Sequence, residues 1–126
     1  MKVLGIDDNT DINNLMKDVL EAHGHDFTST DNGRDGVKLI SEQQFDAVFL
    51  DVAMPEFSGI DVVDALVKEG IIKKQPVILF TASSITDHEI QELIKKGVYS
   101  CIRKPVEIDA LILTLKNLNA KQNVKK

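Results

Sequence analysis

Short, evenly apolar runs alternate with longer amphipathic stretches along the chain. The apolar runs are Val3 to Ile6, Ala47 to Leu50, Val77 to Phe80 and Ser100 to Ile102, with a weaker one around Phe27 to Thr30. They are too short for helices and show no polar face, which is how strands buried on both sides of a parallel sheet read. Between them, apolar residues return at helical spacing. Ile12, Leu15, Met16, Val19 and Leu20 predict a first helix, and Val37 with Ile40 a shorter second. Ile60, Val63 and Val67 predict a third, ended by Gly70; Ile90, Leu93 and Ile94 a fourth, ended by Gly97; Ile108, Leu111, Ile112, Leu115 and Leu118 a fifth. Each stripe predicts one buried face. Asn9 or Thr10 is placed to cap the first helix and Ser58 the third.

Strand and helix alternate five times. That order predicts an α/β fold, a doubly wound parallel sheet with right-handed crossovers and helices on both faces. The 126 residues make one domain, and residues 120 to 126 read as a polar, basic tail that frays. Composition narrows the function. The net charge of −5, with no Trp, one Tyr and five Phe, argues against a direct nucleic-acid partner. No apolar run approaches the ~18 residues of a membrane span, and acid at Asp7 comes too early for a signal peptide. Cys101 is the one cysteine, so no intrachain disulfide forms. Together these features predict a cytoplasmic protein without membrane insertion.

Parallel strands share one C-terminal edge, where α/β sheets bind ligands. The first strand runs out into Asp7-Asp8, the third into Asp51, the fourth into Thr81 and the fifth into Lys104-Pro105. Three carboxylates, a hydroxyl and an ammonium therefore converge. The carboxylates outweigh the one lysine, and all the candidate donors are oxygens. That predicts a hard divalent cation, Mg²⁺ first and Mn²⁺ or Ca²⁺ next, and with it phosphoryl chemistry. Each residue alone has a plainer reading: loop, turn, helix cap or solvated charge. Their placement at the ends of separate strands favours a site.

The segments Val3-Leu4-Gly5-Ile6-Asp7-Asp8, Phe45 to Asp51, Met54-Pro55 with Gly59, Phe80-Thr81-Ala82, and Gly97 with Lys104-Pro105 resemble the receiver domain of two-component response regulators, the single-domain chemotaxis type included. The resemblance covers residues 1 to 119. It implies a flavodoxin-like sheet of strand order 2-1-3-4-5. It implies a signalling switch, not an enzyme beyond slow self-phosphorylation and self-dephosphorylation. Asp51 would accept a phosphoryl group from a histidine kinase or histidine phosphotransfer protein, and the switch would act on a downstream protein the sequence does not name. Asp8, Asp51 and the backbone carbonyl of Ala53 would hold the metal directly, and Asp7 through water. Thr81 and Lys104 would contact the phosphoryl oxygens, and the Lys104-Pro105 peptide would be cis.

Two positions depart from the family pattern. Cys101 stands where an aromatic residue is usual, three before Lys104. Side chains alternate along a strand, so Tyr99 is expected on the same face as Cys101 and is the one ring placed to substitute. The positions two after Asp51 and two after Thr81 are the small residues Ala53 and Ser83, which offer a phosphoryl group little shielding from water. A phosphatase or phosphotransferase of the haloacid-dehalogenase type is the alternative. It wants a second Asp two residues after the nucleophile, where this chain has Ala53. A flavin module would need a phosphate loop where Asp7 to Asp11 is acidic. Cys101 reads as a buried strand residue, and His23, His25 and His88 as surface residues.

Overall fold

The computed structural model describes residues 1–54, 56–81, 85–103 and 108–124; the side chains of 108 and 119–124 are not among the described parts. Five strands, β1 (Lys2–Ile6), β2 (Asp26–Thr30), β3 (Ala47–Leu50), β4 (Val77–Thr81) and β5 (Ser100–Arg103), alternate with five helices. These are α1 (Thr10–Ala22), α2 (Gly33–Glu42), α3 (Gly59–Lys68), α4 (Asp87–Lys96) and α5 (Ile108–Val124). The strands form one parallel sheet in the order β2-β1-β3-β4-β5, as expected.

Alternation along the central strands builds two apolar layers. Leu4, Ile6, Val48, Leu50, Val77 and Leu79 face α2, α3 and α4, where they meet Ile40, Val62, Val63, Leu66, Ile90 and Leu93. Val3, Ala47, Phe49, Ile78 and Phe80 face α1 and α5, where they meet Met16, Leu20, Leu111, Leu115 and Leu118. β2 is an edge strand with Asp26, Thr28 and Ser29 exposed, which explains its weak apolar signal.

Local signals set the helix ends. The Asn9 side chain accepts from the backbone amides of Asp11 and Ile12, so Asn9, not Thr10, caps α1. Ser58 caps α3 in a reciprocal box: its hydroxyl accepts from Asp61 N, and the Asp61 carboxylate accepts from Ser58 N. Gly97 closes α4 at φ 125°. Gly70, at φ 74°, follows α3 and starts a short 3₁₀ turn, Ile71–Lys73, that the apolar pattern did not predict.

Three expectations change. Leu15 and Val67, assigned to buried stripes, are exposed at 40% and 41%. In α1 the row facing the sheet is Asn13, Met16 and Leu20, and in α3 it is Val62, Val63 and Leu66. Either row has helical spacing, and packing on the sheet chooses between them. Tyr99 and Cys101 do not share a face: Tyr99 packs with the α1/α5 layer and Cys101 with the opposite layer. Tyr99 N donates to Val77 O at 2.8 Å where β5 begins, yet its side chain does not follow the alternation of the strand. Finally, α5 continues to Val124, into the stretch expected as a tail.

Candidate functional site

β1 and β3 stop level with each other, because Ile6 pairs with Leu50. The next residues, Asp7 and Asp51, therefore stand side by side at the edge. The ladder extends one step beyond the strands: Asp51 N donates to Ile6 O at 2.9 Å and Asp7 N to Thr30 O at 3.2 Å. The main chains carrying both carboxylates are thus part of the sheet. Asp7 and Asp51 are 3% and 4% exposed, whereas Asp8 is open to solvent.

One carboxylate oxygen from each of Asp7, Asp8 and Asp51 lies within 4.8 Å of the others. Two are oriented by backbone amides: Asp7 Oδ1 accepts from Asn9 N at 2.9 Å, and Asp51 Oδ1 from Ala53 N at 3.2 Å. Three like charges this close repel one another unless a cation lies among them. An all-oxygen donor set with an exposed member fits a hard divalent ion that keeps part of its water shell.

The loop after Asp51 is tightly packed. Gly59 N donates to Val52 O at 3.0 Å, and a β-carbon on Gly59 would lie 2.5 Å from Asp51 O. Met54 is buried in the core, and Phe57 is half-buried with the Arg34 guanidinium 4.8 Å above its ring. Both residues are thereby held within the domain. Glu56 sits at φ 64°, a strained setting for a residue with a side chain, two positions beyond Met54.

Thr81 is fully buried at the end of β4, paired in register with Arg103 of β5. Arg103 donates to Ile85 O at 3.2 Å and to Asp87 Oδ1 at 2.7 Å, tying β5 to the start of α4. Lys104, Pro105 and Ser83 lie outside the described residues, and with them the expected cis peptide. Cys101 is part-buried, and burial pushes its thiol pKa up, an effect that Arg103 partly opposes. That environment suits packing more than reactivity.

Sequence reasoning named the acidic cluster and Thr81. It missed Asn13, whose side chain donates to Asp7 O, and Arg103. Neither residue gave a signal in the sequence: the row Asn13, Met16, Leu20 is selected only when α1 packs on the sheet.

Residues 3–116 match the family model of the response regulator receiver domain. The chain belongs to that family. It is 30% identical over 115 residues to the polar-differentiation response regulator DivK of Brucella anthropi, covering 91% of this chain and 93% of that one. It is 30% identical over 116 residues to protein PilH of Pseudomonas aeruginosa, covering 90% and 93%. Among solved structures, the Francisella response regulator 1452 receiver domain superposes with a TM-score of 0.85 at 30% identity, over 96% of this chain and 98% of that one. The receiver is a phosphorylation-dependent signalling switch of two-component systems, and the haloacid-dehalogenase alternative finds no support. Receiver domains bind Mg²⁺ at an acidic pocket and take phosphoryl groups from histidine kinases. Among the described residues, no helix is long and apolar enough to cross a membrane.

Proposed function

We propose that Asp51 is the phosphoacceptor of this receiver, within a domain spanning residues 1–119. The grouping of its carboxylate with those of Asp7 and Asp8 at the common strand edge carries the reading. Asp8, Asp51 and the Ala53 carbonyl would hold Mg²⁺, with Mn²⁺ as a substitute, and Asp7 would orient a bound water. When bound, the ion supplies charge neutralisation for the phosphoryl oxygens. The donor is a phosphohistidine of a sensor kinase or phosphotransfer protein. An Asp51 oxygen forms the bond to phosphorus as the phosphorus–nitrogen bond breaks, and the imidazole, already protonated on its other ring nitrogen, leaves neutral. The backbone amide of Ala53, which donates to Asp51 Oδ1, limits the rotation of the carboxylate. The Thr81 hydroxyl and the Lys104 ammonium take up the transferred oxygens. Loss of the group is attack by water at phosphorus, which restores the carboxylate and releases inorganic phosphate. Both self-reactions are slow, and output runs through contacts with a downstream protein in the cytoplasm.

Incubation with Mg²⁺ and phosphoramidate tests the assignment. The protein should gain one labile phosphoryl group by mass, and Asp51→Asn should gain none. Equal labelling of Asp51→Asn would place the acceptor elsewhere.

A further inference from the structure

α1 directs Met16 and Leu20 into the layer beneath the sheet, and Asn13 holds the next place in that row. It is 6% exposed, and its Oδ1 is buried with no hydrogen-bond partner. An unpaired buried acceptor is a cost that an apolar side chain would avoid. What the amide gains is one contact: Nδ2 donates to the main-chain carbonyl of Asp7 at 2.8 Å. That carbonyl belongs to the planar peptide that joins Asp7 to Asp8. Pinning its oxygen sets the tilt of the plane on which Asp8 is mounted. Asp7 and Asp51 are held through their carboxylates by Asn9 N and Ala53 N, whereas Asp8 is the exposed member of the group.

We propose that Asn13 is a positioning residue for the acidic pair, acting on Asp8 through the Asp7 carbonyl and so setting the affinity for a divalent cation. The proposal rests on the metal reading above. Partners that orient metal ligands carry about 10- to 100-fold in affinity. Asn13→Leu keeps the branched side-chain skeleton and removes the donor; Asn13→Ala is the second variant should the bulkier Leu not fold. Mg²⁺ is titrated into each ¹⁵N-labelled protein, and the dissociation constant is read from the amide shifts of residues 7, 8 and 51. Thermal melts without metal run alongside. The expected result is a dissociation constant raised about 10-fold in either variant. A purely structural Asn13 would lower the melting temperature and leave the constant within twofold of wild type, and that outcome overturns the proposal. Asp8→Ala separates the two readings. If it loses Mg²⁺ binding while both Asn13 variants bind like wild type, only the role of Asn13 falls. If Asp8→Ala binds like wild type, the metal reading falls and takes the role of Asn13 with it.

Discussion

Gly59 has no room for a methyl group. A β-carbon there would meet Asp51 O at 2.5 Å and Val52 Cα at 2.7 Å, and both neighbours are backbone. Backbone cannot rotate aside as a side chain can, so Gly59→Ala must displace either α3 or the main chain that carries Asp51. Overpacking of this kind costs about 1–3 kcal/mol. Gly59→Ala should show that loss in urea melts and should also slow phosphoryl uptake, because the displaced atoms adjoin the acceptor. A variant that loses stability yet takes up phosphate at the wild-type rate would show that α3 yields and Asp51 does not. Asp7, Asp8 and Asp51 were legible in the sequence, since their residue type and positions after strands carry the meaning, and Gly59 was legible through the resemblance. Asn13 was not. An amide on a helix announces only that it is polar; the Asp7 carbonyl it serves is defined by the folded β1–α1 turn.

At the scale of elements, the apolar runs located every strand, but the faces of the helices were less legible. In α3, Val62 with Leu66 fits a helical stripe as well as Val63 with Val67 does, and only contact with the sheet buries Val62, Val63 and Leu66 while leaving Val67 exposed. Tyr99 shows the same limit at a strand start, since it packs in the α1/α5 layer while Cys101 packs in the opposite one. Tyr99 is therefore in the wrong layer to replace the aromatic residue missing at Cys101. Arg103 is better placed to carry movement from Thr81. It is the register partner of Thr81, and its guanidinium holds Ile85 O and Asp87 Oδ1. The Asp87 end of this bridge is exposed, so it adds ~0–1 kcal/mol of stability. Arg103→Gln should accordingly melt close to wild type. With beryllofluoride as the phosphoryl mimic, wild type should show amide shift changes along residues 85–96. Thr81→Ala should abolish them, Arg103→Gln should shrink them, and Tyr99→Ala should leave most of them intact. Loss of the changes in Tyr99→Ala alone would show that the signal leaves through α5.

The fold gathers three carboxylates at one edge of the sheet. Parallel pairing of β1 with β3 ends both strands level, and the fold thereby sets Asp7, Asp8 and Asp51 within 4.8 Å of one another. The strand ends were readable from sequence, and the strand order followed from the resemblance. The separation of the carboxylates was not readable, because it comes from register and from the amides of Asn9 and Ala53. The fold thus brings Asp51 up to Asp7 and Asp8, like charges that lie far from it in the unfolded chain. A cation that binds only the folded form reverses that penalty by mass action, contributing about 2.7 kcal/mol at a hundredfold excess over its dissociation constant. Mg²⁺ should therefore raise the melting temperature of wild type in proportion to the logarithm of its concentration. Asp8→Ala removes one of the three charges and one ligand together. It should melt at or above wild type without metal and show no response when Mg²⁺ is added. The two halves of this outcome are separable in one melting series. A lower metal-free melting temperature would mean that Asp8 stabilises the β1–α1 turn more than it repels its neighbours. A retained Mg²⁺ response would mean that the ion stabilises the protein from another site.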